Sequence, residues 1–140
     1  KKKIMKKIKI INHTADIGIE VYGKTIEEIF ENSLNGLYRI IGVKSNGYEK
    51  EIEINVCADE IEGLLVKFLN ELIYYIETQK IAGKIIKIKI DSKENRYNLY
   101  AKLKMGKIEK ITKEVKATTY HNLKLEKIND GYKTSIIFDL

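Results

Sequence analysis

The chain has 140 residues, 44% of them hydrophobic and 33% charged, which is the balance of a soluble globular protein able to bury roughly two thirds of its unfolded surface around one core. No apolar run approaches the roughly 20 residues that span a bilayer, and a single cysteine, Cys57, excludes an internal disulfide and fits a reducing, cytoplasmic setting. The formal net charge is +6, but Lys1, Lys2, Lys3, Lys6 and Lys7 supply five of those charges, so the body from residue 8 onward is nearly neutral and lacks the overall basic excess expected of a duplex-binding protein.

Residues 1–7 read as a basic tail without the apolar stretch or cleavage site of an export signal, and 8–140 as a single domain. Ile8 and Ile10, then Ile17, Ile19 and Val21, alternate with polar residues at the two-residue period of half-buried strands, interrupted at His13-Thr14-Ala15-Asp16. Thr25-Ile26-Glu27-Glu28 has the form of a capping box. Ile26, Ile29, Phe30, Leu34, Leu37 and Ile41 follow at helical spacing until Gly42. The strand period returns at Ile52, Ile54, Val56 and Ala58, where Cys57 reads as a core residue. Asp59-Glu60-Ile61-Glu62 then opens a second capped helix with a stripe from Ile61 to Ile76.

From residue 83 the pattern is mostly β. Ile86, Ile88 and Ile90 form one strand, Ser92-Lys93-Glu94-Asn95 a turn, and Tyr97 to Met105 its hairpin partner, which Gly106 is expected to end. Leu123 and Leu125 pair through Asn129-Asp130-Gly131 with a last strand from Tyr132 to Phe138. The expected architecture is α+β: a two-layer sandwich of two amphipathic helices on a mixed, mostly antiparallel sheet.

The chemistry-bearing residues crowd the two ends. Asp16 follows a strand break, and Asp139 with the α-carboxylate of Leu140 closes the last strand. Converging, they would repel unless a hard cation such as calcium or magnesium sat between them. Asp16 capping a turn and Asp139 lying solvated at a frayed end is the alternative. His13, His121 and Cys57 show no closely spaced pair of the kind zinc takes. The two imidazoles could exchange protons near neutral pH, but with no nucleophile in a recognisable setting, fixing loop geometry is their default role. If 116–121 is a strand, Lys116, Thr118 and Tyr120 line one surface suited to a phosphate or acidic partner. An ordinary polar edge strand is the alternative. No phosphate-cradling glycine-rich loop occurs.

Three motifs, His13-Thr14-Ala15-Asp16-Ile17-Gly18-Ile19 with Tyr22-Gly23, Glu114-Val115-Lys116-Ala117-Thr118-Thr119-Tyr120-His121-Asn122-Leu123, and Ile137-Phe138-Asp139-Leu140, together resemble the archease family over the length that follows the tail. The resemblance implies an accessory factor, itself no enzyme, that activates an RtcB-type RNA ligase in tRNA splicing. It would promote the ligase's GTP-dependent guanylylation and repeated turnover. It further implies a divalent-cation site at Asp16, Asp139 and Leu140, where isoleucine is more usual at the last position, with His13, Lys116, Tyr120 and His121 on the partner or activation surface. RNA would be reached through the ligase, with no membrane involved. A stand-alone metal-dependent phosphoesterase and a chaperone-like partner of an RNA-modifying enzyme are the rival readings.

Overall fold

A computed structural model of the chain describes residues 7–12, 16–120 and 122–140. Of the basic tail, only Lys7 is among them; its carbonyl accepts the Tyr22 N–H at 3.0 Å. In chain order the elements are β1 (Ile8–Asn12), β2 (Asp16–Gly23), α1 (Ile26–Ile41), β3 (Lys44–Ala58), α2 (Ile61–Gln79), β4 (Ile81–Lys93), β5 (Arg96–Lys110), β6 (Ala117–Thr119), β7 (Leu125–Ile128) and β8 (Gly131–Asp139).

The class is α+β with antiparallel pairing, as the periodicities predict. The strands divide between two sheets where one was expected: a five-stranded sheet ordered β1-β2-β8-β6, with β7 also on β8, and a three-stranded sheet ordered β3-β5-β4. Every pairing among the described residues is antiparallel. Both helices touch both sheets. α1 lies against β1, β2 and β8 and also meets β4, while α2 lies against β3, β4 and β5 and also meets β6. Phe30 and Phe68 join the helices at the centre, fully buried, with ring centroids 5.8 Å apart.

Local chemistry explains the element ends. Thr25 accepts the Glu28 N–H at 3.1 Å, and the Glu28 carboxylate reaches back to the Lys24 N–H at 2.8 Å, one residue before the cap. Gly42 ends α1 in the left-handed region at φ 69°. Gly36, in mid-helix, faces β2: a methyl there would lie 2.7 Å from Ile19 Cδ1, so a larger residue would require that side chain to shift. The cap expected for α2 does not form, since Glu60 occupies the cap position without a side-chain bond. Glu62 instead accepts the Leu125 N–H at 3.0 Å and anchors the start of β7.

Three further expectations change. β5 continues through Gly106, because the carbonyl of Gly47 in the bulged part of β3 lies where a side chain would stand. Cys57 is half-buried on the outer side of its sheet, opposite Asn98, because Ile54 and Ala58 take the inward positions. Thr118, expected beside Lys116 and Tyr120 on a polar surface, is 5% exposed. It pairs with Phe138 and shares the inward direction of β8, and its hydroxyl has no partner among the described residues.

Two stability outcomes follow. Thr118→Val exchanges a buried, unpartnered hydroxyl for a methyl and should leave the melting temperature unchanged or raise it by a few degrees, whereas Thr118→Ala should lower it. Glu60→Ser supplies the missing cap of α2 and should add about 0.5–1 kcal/mol in urea unfolding at an unchanged denaturant slope.

Candidate functional site

Pairing between β2 and β8 begins with Asp16 opposite Asp139 and proceeds through Ile17–Phe138, Gly18–Ile137 and Ile19–Ile136. Side chains directly opposite in an antiparallel ladder project to the same face, with Cα atoms about 4.5–5.5 Å apart. Ile17, Ile19 and Val21 on β2, with Thr134, Ile136 and Phe138 on β8, are buried, so Asp16 and Asp139 share the opposite, outer face. Residues from the two ends of the sequence thus stand side by side.

On the far side of β8 the row is completed by Ala117, and Asp139 is exposed. Lys116 is tied to the same residue through the main chain, its N–H donating to the Asp139 carbonyl at 2.8 Å, while its side chain is exposed. Leu140 is half-buried and packs against the core, which holds the last main-chain segment down next to Asp139. The electrostatics of this corner are unbalanced. Like charges directly opposite in a sheet repel, and Asp16 Oδ1 is buried with no hydrogen-bond donor within reach among the described residues.

An unsatisfied, buried carboxylate oxygen facing a second carboxylate is the donor set of a hard cation, so the residues present fit such an ion. Two carboxylates do not complete a coordination shell. Among the described residues no group of three or more His, Cys, Asp or Glu side chains is placed to hold a metal, so main-chain oxygens and water would supply the rest.

The other predicted site residues scatter. Tyr120 is 59% exposed, beyond the end of β6 and about 10 Å along the strand from the Asp139 row, with its ring beside Gly63 in the first turn of α2. Its carbonyl accepts the Leu123 N–H at 3.1 Å, closing a turn in which Asn122 has φ 53°. His13 and His121 lie outside the described residues.

Sequence reasoning missed Asn70 and Glu62. Asn70 Oδ1 accepts the Thr118 N–H at 2.8 Å and docks the outer edge of β6 on α2; Glu62 does the same for β7. The available signal was spacing, for Glu62, Val66 and Asn70 recur every four residues and form one stripe of the helix.

No helix among the described residues is long and apolar enough to cross a membrane. The profile of the Archease protein family matches residues 9–140. Protein archease of Archaeoglobus fulgidus is 31% identical over 96% of this chain and 99% of its own length, and that of Pyrococcus furiosus is 39% identical over 85% and 87%. The solution structure of protein 1598 of Methanobacterium thermoautotrophicum superposes with a TM-score of 0.80 at 28% identity, covering 97% of this chain and all of that one. The crystal structure of a Thermotoga maritima archease, described as a possible chaperone, gives 0.66 at 31% identity over 99% of this chain and all of that one. With the family profile matched over residues 9–140 and relatives this similar, the chain belongs to the archease family.

Proposed function

We propose that this archease-family protein docks on an RtcB-type RNA ligase and promotes its GTP-dependent guanylylation and repeated turnover in tRNA splicing. A divalent cation, calcium or magnesium, is held by Asp16, Asp139 and a main-chain oxygen of Leu140. The observation that carries this reading is the Asp16–Asp139 pair in a member of this family: two carboxylates opposite one another, one with a buried oxygen that lacks a donor. When bound, the ion supplies positive charge to the docking surface or to the nucleotide's phosphates.

The chain's own residues have simpler roles. Asp16 and Asp139 bind, and the packed Leu140 keeps the terminal segment in place. Exposed Lys116 and Tyr120 meet the partner, with His13 and His121 assigned to the same surface by the family resemblance. In this reading the protein is cytoplasmic, is not itself an enzyme and uses no GTP of its own.

The test adds this protein to its cognate ligase with GTP and excess substrate RNA. A gain in turnover is expected, and the double variant Asp16→Asn, Asp139→Asn should return the ligase to its unassisted rate while remaining folded. Absence of any gain from the unaltered protein would remove the hypothesis. Hydrolysis of a phosphate ester by the isolated chain would point instead to a stand-alone phosphoesterase using the same carboxylates.

Cation binding has its own readout. At a hundredfold excess over its dissociation constant, an ion stabilises the folded state by about 2.7 kcal/mol, a rise of several degrees in melting temperature. That rise should appear with calcium or magnesium, vanish with EDTA and be absent from the double variant. Without cation, the variant should be at least as stable as the original, because the amides do not repel.

A second reading, a chaperone-like partner of an RNA-modifying enzyme, draws on the description of the Thermotoga maritima relative as a possible chaperone. It predicts protection of such an enzyme from aggregation with ligase rates unchanged.

A further inference from the structure

The near-neutral body conceals a segregation of charge that only folding produces. In the three-stranded sheet, Ile52, Ile54, Leu99, Ala101 and Leu103 turn inward to the helices. The intervening residues form rows across the outer face: Glu51–Lys104–Lys84, then Glu53–Lys102–Lys87, then Asn55–Tyr100–Lys89. Five lysines occupy β4 and β5, and the two glutamates stand at the β3 margin. Along the sequence these charges are interleaved with apolar residues and average out; across the sheet they separate. The patch ends at the next row, Cys57–Asn98–Asp91, where the Asn98 amide donates to Asp91 at 3.4 Å.

The arrangement carries a cost within the fold. Lys104 stands directly opposite Lys84 and Lys102 opposite Lys87, and like charges so placed destabilise a sheet. Toward β3 there is compensation. Lys102 pairs with Glu51 at 3.7 Å, and the Tyr100 hydroxyl donates to Glu53 at 2.9 Å. Lys87, Lys89 and Lys104 are exposed and make no ion pair among the described residues.

A polyanion would relieve this repulsion, and the make-up of the face selects its kind. Protein–protein interfaces are depleted in lysine and need an apolar centre; here the one exposed large aliphatic residue of the strand pair is Ile86, 47% exposed at the bulge between Ile85 and Lys87. Phosphate backbones take lysines as point charges. Successive outward lysines on one strand stand about 7 Å apart, and an aromatic ring on an open sheet suits unpaired bases.

We propose that the outer face of β4 and β5 binds the backbone of single-stranded RNA through Lys87, Lys89 and Lys104, with Tyr100 beside them. The choice of RNA over DNA rests on the ligase reading above; the basic face does not. This adds a direct contact with RNA, on the sheet that does not carry Asp16 and Asp139.

The test uses the full-length chain without ligase and a fluorescein-labelled single-stranded RNA of about 16 nucleotides, the upper end of single-strand site sizes. Binding is followed by anisotropy between about 50 and 200 mM salt. The triple variant Lys87→Gln, Lys89→Gln, Lys104→Gln should bind about tenfold or more weakly, and its salt slope should fall by about 2. A charge-matched control, Lys9→Gln, Lys127→Gln, Lys133→Gln on the other sheet, should change little, and a chain lacking residues 1–6 should remain sensitive to the triple substitution.

Equal losses in the triple variant and the control would reduce the effect to net charge and overturn the proposal. So would unchanged RNA binding with new self-association of the triple variant, which would make these lysines guards of the β4 edge. Tighter binding of a DNA strand of the same sequence would also overturn it. Because no ligase is present, failure here leaves the activator reading standing, and failure of that reading leaves this one testable.

Discussion

The register between β2 and β8 is the constraint on which the rest of the molecule depends. Ile17, Ile19 and Val21 must face the helices, and so must Thr134, Ile136 and Phe138. A slip of one residue would turn one of these sets to solvent, so burial of the two apolar faces locks the pairing. The acidic corner follows as a by-product of that lock. Asp16 and Asp139 are opposed in the alignment that keeps both of these apolar sets inward. The main chain that carries the site is thus set by the core beneath it, as suits a group that must meet an ion or a partner with fixed geometry.

Much of this was legible from residue patterns. Alternation marked the strands, the box at Thr25 and the glycine at 42 marked both ends of α1, and the chain's two polar termini were read as one locus. What escaped was whatever depends on pairing partners far away in sequence. Alternation identifies a strand but not its sheet, so the division into two sheets was hidden. Thr118 was assigned an outward direction by extending a strand through 116–121, whereas β6 is three residues long and its central residue takes the inward direction of Phe138. Asp59-Glu60-Ile61-Glu62 was read as the opening of a capped helix; Glu62 is instead used by β7, a contact across 63 positions.

Charge shows the same division between local and non-local information. Summed along the chain, lysine and glutamate nearly cancel after residue 7. Antiparallel pairing re-sorts them, placing glutamates on β3 and lysines on β4 and β5, so one face acquires a field that composition cannot reveal. The outer face of the five-stranded sheet differs in kind, with acidic groups at the β2–β8 end and Glu20 opposite both Lys9 and Ser135. Two chemically distinct surfaces thus lie on separate sheets, joined by helices that contact both.

The bond between Asn70 and the Thr118 N–H governs how this corner can be approached. A sheet ending in β6 would ordinarily present a free main-chain donor to any extended peptide, the usual opening for β-augmentation. Here a helix side chain already occupies that donor. An added strand would find the Thr118 donor already engaged, which leaves side chains, loops or ions arriving over the face as the readier means of recognition at the acidic corner.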